Sequence, residues 1–272
     1  MKQTKADQSS ASSTASGLDP NDILDEIRDY WNRFDHYEGL ASHVVGTKDF
    51  YEDLEAYRYE RKPYLPRVLD FGAYEGKRLL EIGCSVGIDL IQFARHGADV
   101  TGVDLAEKPL AMAEQNFSLN GVGGEFLTMN GEDLQFDADS FDVVYANGVL
   151  HYTNDTQGMI REAYRVLKPG GEAIFMTLNR FSWLTLISRL SGIRLEHGRS
   201  PVCKSYSIGE FRRILSCFSR VEVSIDQFPA RSRLQSGLKG RAYNTLFVGA
   251  FNLIPKPMVR PFGAHLIAKA IK

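Results

Sequence analysis

Glu81, Asp104, Asn130, Glu132, Asn147 and His151 are the polar side chains whose type and spacing could hold a ligand and act on it. Glu81 opens the turn Gly83-Cys84-Ser85-Val86-Gly87, which joins the apolar run Leu79-Leu80 to an amphipathic stretch. Small residues in such a turn let a ligand touch backbone. A dinucleotide site needs Gly-x-Gly-x-x-Gly, and here Ser85 and Ile88 stand where the second and third glycines belong. A nucleophile elbow needs Gly-x-Ser-x-Gly, which the turn satisfies literally with Ser85 as nucleophile. That elbow normally follows several strands, whereas this turn follows the first. Asp104, which lies 21 residues beyond Gly83, closes the next apolar run. An ionised carboxylate there has lone pairs for both hydroxyls of a ribose, which points to an adenosine ligand without saying which.

The elements that must position these side chains alternate from Lys77 onward. Strands are expected near 78–83, 99–104, 124–129, 141–146 and 171–177, and helices near 87–96, 107–119 and 155–167. This alternation predicts a parallel sheet with helices on both faces and a ligand at the carboxyl ends of the strands. Upstream, Asp19-Pro20 reads as a cap with proline at the first helical position, followed by Ile23, Leu24, Ile27, Trp31 and Phe34 at helical spacing. A second helix, rich in aromatics, is expected over 48–61. Downstream, helices are expected over 181–190, 207–216 and 242–253, with strands over 218–226 and 265–271. The Gly- and Arg-bearing stretch to about residue 205 reads as loop. No internal repeat is visible.

Four ordered motifs carry a resemblance. Glu81-Ile82-Gly83-Cys84-Ser85-Val86-Gly87 resembles the Glu/Asp-x-Gly-x-(Gly/Ser)-x-Gly loop that binds S-adenosylmethionine (SAM) in class I methyltransferases. Met129-Asn130-Gly131-Glu132-Asp133-Leu134-Gln135-Phe136 is similar to the adenine-binding segment of the ubiquinone/menaquinone-type members, with Asn130 where Asp is usual. Phe141-Asp142-Val143-Val144, then Gly148-Val149-Leu150-His151, resembles the segment after the fourth strand, and Val166-Leu167-Lys168-Pro169-Gly170-Gly171 the helix end that opens the fifth. The resemblance spans about residues 77–177. It implies a doubly wound, mostly parallel seven-stranded α/β sheet of Rossmann-like form, with N-terminal helices and a helical cap inserted after the fifth strand. It also implies SAM as cofactor, S-adenosylhomocysteine (SAH) as product, and Glu81, Gly83, Cys84, Ser85, Gly87, Asp104, Leu105, Asn130, Gly131, Glu132 and Asn147 as cofactor residues. His151 is the candidate catalytic base; a pocket-shaping role for it stays open. The turn glycines Gly170 and Gly171 are expected to stop the helix before the fifth strand.

Composition narrows the acceptor. Residues 1–177 hold 16 Lys/Arg against 30 Asp/Glu, and residues 178–272 hold 16 against 4, which together give the net −2. An acidic core without the Asn/Asp-Pro-Pro-aromatic motif of nucleobase methyltransferases argues against nucleic acid and for a small-molecule acceptor. Arg194, Arg199 and Arg241, with Arg231 and Arg233, could grip a carboxylate or phosphate on it, and Tyr57 could line its pocket. The apolar segments 181–190 and 243–255 read as walls of a lipophilic pocket, the alternative being a surface resting on a membrane or partner. The three cysteines show no metal-ligand spacing, so no metal is expected and reduced thiols are. Residues 1–18 read as a disordered tail without a signal-peptide core, 19–76 as a helical lid, 77–177 as the SAM-binding core and 178–272 as the part bearing the cap. No apolar run approaches the about 20 residues that span a bilayer, so a cytoplasmic monomer or homodimer without membrane insertion, though with room for peripheral contact, is the expectation. A SAM-binding fold with a regulatory role or other chemistry, and a serine hydrolase using Ser85, are the competing functions.

Overall fold

The computed structural model describes residues 20–33, 37, 39–186, 200–229, 245 and 248–272. Seven strands form one sheet: β1 (Arg78–Ile82), β2 (Asp99–Asp104), β3 (Glu125–Thr128), β4 (Phe141–Asn147), β5 (Leu167–Leu178), β6 (Arg220–Asp226) and β7 (His265–Ile271). Their order is β3-β2-β1-β4-β5-β7-β6. The first five are mutually parallel, and β7 runs antiparallel to both β5 and β6. The order reverses between β2-β1 and β4, so the crevice of a doubly wound sheet opens at the carboxyl ends of β1 and β4.

Period-2 alternation sends the two sides of each strand into separate cores. Leu80, Ile82, Val144 and Phe175 pack against α6 (Thr156–Val166) and α7 (Ile208–Ile214) through Met159, Ile160, Ala163 and Phe211. Leu79, Val143, Tyr145 and Ile174 face α3 (Leu65–Leu69), α4 (Leu90–Arg95) and α5 (Glu107–Asn120) through Leu65, Leu90, Phe93 and Phe117. Glu81 shares the second face with Leu79, which aims its carboxylate toward α4 and not into the α6 core.

The N-terminal helices α1 (Pro20–Asn32) and α2 (Lys48–Arg61) lie over the crevice. Phe50, Tyr51 and Leu54 of α2 bury against Val86 and Ile88 of the first loop and Met112 of α5. Asn32 ends α1 by accepting from the Lys108 N–H at 3.0 Å and donating to Glu107 at 2.6 Å, so it satisfies the start of α5. Two short helices, α8 (Val248–Leu253) and α9 (Lys256–Val259), precede β7.

Three boundaries differ from expectation. α4 begins at Leu90 and not at residue 87, because Gly87 sits at φ +70° and continues the loop. α6 ends at Val166, and β5 begins at once with Leu167 opposite Phe141. Pro169 disfavours helical backbone at Lys168, so the helix stops upstream of the glycines. Gly170, at φ +77°, instead turns the extended chain where the β4–β5 register shifts. The expected helices over 181–190 and 242–253 are described only as a helical turn from Trp183 and as α8. The expected tail, 1–18, lies outside the described residues. No described helix is long and apolar enough to cross a membrane.

Candidate active site

A cavity of about 440 Å³ opens at the carboxyl ends of β1, β2 and β4, under α1 and α2. Glu81, Gly83, Cys84, Ser85, Asp104, Leu105, Asn130, Gly131, Glu132, Asn147, His151 and Tyr57 all line it. Gly87 does not. At φ +70° it turns the loop, and a Cβ there would sit 3.2 Å from that of Ala113 on α5. Arg194, Arg199, Arg231, Arg233 and Arg241 lie outside the described residues. So does much of the expected cap. Within 181–190, Trp183 and Leu184 line the cavity whereas Phe181 and Leu186 are exposed, and no described residue of 243–255 lines it.

The loop after β1 is folded around Asp104. Its Oδ2 accepts the Ser85 N–H at 2.9 Å and its Oδ1 the Ala106 N–H at 3.0 Å. Burial pushes this carboxyl above its ordinary value, against the opposing pull of those two N–H groups. Ser85 sits at φ +53°, in the left-handed region that favours glycine, and its hydroxyl pairs with that of Tyr37. Among the described residues no histidine bonds Ser85, so nothing there would activate a serine nucleophile. Burial, then Asp104 and Glu81, hold the Cys84 thiol well above its usual range, which makes it inert. Gly83, at φ +71°, presses on the loop after β4: a Cβ would approach Val149 Cγ2 to 2.3 Å. A Cβ on Gly131 would likewise meet Ile82 Cγ2 at 2.5 Å. Both glycines therefore let neighbouring segments close up on one another at the rim of the cavity.

A buried ionic network runs beneath this loop. Arg58 of α2 donates to Asp89 through Nε at 3.2 Å and through Nη2, while Tyr145 and Tyr59 donate to the same carboxylate at 2.8 and 3.2 Å. Burial alone would raise Asp89, but the Arg58 charge and these hydrogen bonds bring it below the ordinary value. Tyr145 in turn accepts from Asn147 Nδ2. Glu81 is 4% exposed, and burial, then the Asp89 charge, hold its carboxyl well above the usual range. Two buried oxygens in the wall, Glu81 Oε2 and Asn147 Oδ1, have no hydrogen-bond partner among the described residues. A bound ligand carrying an ammonium group would supply the missing donors.

The loops after β3 and β4 are tied together. Asn130 Oδ1 accepts the Glu132 N–H at 3.0 Å, an Asx-turn that leaves its second lone pair for a ligand. Glu132 accepts from the Thr153 hydroxyl and, at 2.7 Å, from the Asn154 N–H. Its carboxylate thus holds the two loops in register. His151 is buried, its ring 4.2 Å from that of Tyr152, and its carbonyl accepts the Lys204 N–H at 2.8 Å. Trp31 of α1 meets Tyr152 edge-on at 5.2 Å, which closes the wall from the lid side.

Sequence reasoning missed Arg58, Asp89, Tyr37, Gln227 and His265, all of which line the cavity. Asp89 had a signal, a carboxylate two residues past the loop. The others arrive from distant segments that no local pattern links.

A family described as "methyltransferase domain" matches residues 80–175. The ubiquinone biosynthesis O-methyltransferase of Pseudomonas savastanoi pv. phaseolicola is 39% identical over 106 residues, which cover 39% of this chain and 46% of that protein. The same enzyme of Pseudomonas entomophila is 40% identical over the same span. The chain thus spans about half the length of the curated relatives it matches. In fold it is similar to magnesium protoporphyrin IX methyltransferase from Synechocystis, solved with bound SAH (TM-score 0.58, 18% identity, 90% of this chain and 98% of that one). It is also similar to a SAM-dependent methyltransferase from Archaeoglobus fulgidus (TM-score 0.54, 16% identity, 82% and 94%). The four motifs in order, the seven-stranded sheet and the glycine loop at its switch point all agree with a methyltransferase domain over residues 80–175.

Proposed function

We propose that this protein transfers a methyl group from SAM to a small-molecule acceptor, with SAH as the second product. The observation that carries the reading is the pair of buried oxygens without a partner among the described residues, Glu81 Oε2 and Asn147 Oδ1, in the wall of the cavity. Those groups suit a ligand with an ammonium donor and no phosphate. Asp104 and the backbone after Asn130, which line the same cavity, would hold ribose and adenine. When bound, SAM supplies an electrophilic methyl group to a nucleophile held behind it.

What the chain itself contributes is holding and drying. Glu81 and Asn147 fix one end of the cofactor, and the Arg58–Asp89 pair fixes the loop. Trp31, Tyr37 and Leu40 exclude water from the side of the lid. Proximity and exclusion of water account for much of the rate in such a transfer. His151, which lines the cavity, would take a proton from an acceptor that arrives protonated. The acidic core favours a small molecule over nucleic acid, and the lining Trp183, Leu184 and Phe228 favour one with an apolar body. The cytoplasm supplies SAM and suits free thiols.

Isothermal titration with SAM, followed by an acceptor screen for SAH release, tests the reading. Micromolar SAM binding with turnover on at least one acceptor is expected. Absence of SAM binding would overturn it. Substitution of His151 by Gln should lower kcat at least tenfold with little change in KM; an unchanged kcat would leave His151 as wall alone.

A further inference from the structure

The β5–β7–β6 side of the same cavity is walled by Arg61, Lys62, Gln227 and His265. None belongs to the cofactor loops, and hydrogen bonds fix what His265 and Gln227 can offer. His265, the first residue of β7, is clamped between Leu178 of β5 and Asp226 of β6. Its Nδ1 lies 2.7 Å from the Tyr64 hydroxyl, which is 1% exposed. A buried hydroxyl must place its proton on an acceptor, and among the described residues Nδ1 is the one in reach. Burial keeps Tyr64 protonated, by raising it above its ordinary value. Nδ1 therefore accepts, and a neutral ring then carries its proton on Nε2. Burial, followed by the charges of Lys62, His151, Arg58 and Arg61, keeps the imidazole neutral well below its usual value.

Gln227 is equally determined. It sits at φ +65°, and its Nε2 donates to the Arg61 carbonyl at 2.8 Å. Its own carbonyl accepts from Trp183 Nε1 at 2.9 Å and from the Ala264 N–H at 3.1 Å. The side-chain amide cannot flip without losing its bond to Arg61, and its buried Oε1 has no partner among the described residues. The wall thus offers one fixed neutral donor and one fixed acceptor, in the field of the Arg61 and Lys62 charges. Glu60 is the acidic exception beside them.

We propose that this wall is an anchor for a small hydroxy or amino acid. The ionised oxygen of the ligand would meet His265 Nε2–H and the Arg61 and Lys62 charges, and its neighbouring hydroxyl or amine would donate to Gln227 Oε1. That the anchored molecule is the methyl acceptor rests on the methyltransferase reading; the anchor itself does not.

Salicylate and mandelate, each against its neutral amide, probe the wall directly. Binding is read by tryptophan fluorescence and saturation-transfer NMR, with and without saturating SAH. Each acid should bind at least tenfold more tightly than its amide. The variants Gln227→Glu and Lys62→Glu should each reduce that ratio at least fivefold while SAM affinity stays within twofold. Gln227→Leu, which adds no charge, should weaken both members of a pair equally. A ratio near one in the wild type would overturn the proposal, as would a ratio untouched by both charge variants. SAM binding without acid preference refutes the anchor alone, whereas acid preference without SAM binding refutes the methyltransferase reading and leaves the anchor standing.

Discussion

Glu81 is held in a folded state that resists its charge, and that has a measurable consequence. Its carboxyl is raised by burial first and by Asp89 second, so the folded chain binds the proton more tightly than the unfolded one. The stability linked to that proton is complete below about pH 4.5 and is lost as pH rises through the folded value. Asp104 is raised in the same sense, so the wild type alone does not isolate Glu81. Comparison with Glu81→Gln does: the melting temperature of the ligand-free wild type should fall relative to the variant between pH 5 and 8. The variant should also bind SAM at least tenfold more weakly. Parallel melting curves across that range would refute the assignment. Glu81 and Asp104 were legible in the sequence because each closes a strand at a fixed distance from the glycine turn. His265 and Gln227 were not, since their chemistry depends on Tyr64 and Arg61, which the chain brings to them from far upstream. Asn130 was legible only in part; its position marked the loop, but its amide also builds the turn that holds Glu132.

At the scale of elements, α2 acts as more than a cover. Its Arg58 reaches a carboxylate whose side chain is 1% exposed, so the helix is bolted to the cofactor loop by charge as well as by Phe50 and Leu54. Removal of one partner of such a pair typically costs about 3–5 kcal/mol, because the other charge is left buried and unpaired. Arg58→Ala should therefore lower the free energy of urea unfolding by about that amount. Asp89→Asn in the same chain should restore part of it, and strictly additive losses would count against the pairing. α1 was legible from its helical spacing, α2 from its aromatic-rich run, and α5 and α6 from the strand–helix alternation, whereas helix ends were set by single residues whose effect depends on neighbours. Lys168-Pro169 stopped α6 ahead of the glycines, and Gly87 delayed α4. The short α3 had no signal beyond Pro63 and Pro66, because its reason for forming is the burial of Leu65 and Leu69 on the sheet.

For the whole molecule, lid, core and the β7–β6 pair enclose one cavity, so a ligand there stabilises all three together. SAH at 100 times its dissociation constant should add about 2.7 kcal/mol to the unfolding free energy. For a domain of this size that corresponds to a rise of roughly 5–10 °C in melting temperature; an unshifted transition would mean that the cavity does not bind it. The parallel core was readable from the strand–helix alternation, and the two last strands from their apolar runs. Their order in the sheet was not, because no local pattern tells a strand whether to take the edge or the place inside it. That order has a consequence for synthesis. β6 leaves the ribosome before β7 yet pairs only with it, so residues 220–226 wait as an unsatisfied ribbon until residues 265–271 emerge. During that interval the nascent chain carries its complete glycine loop but lacks the His265 wall, and a chaperone that shields the waiting ribbon would set the yield of finished protein.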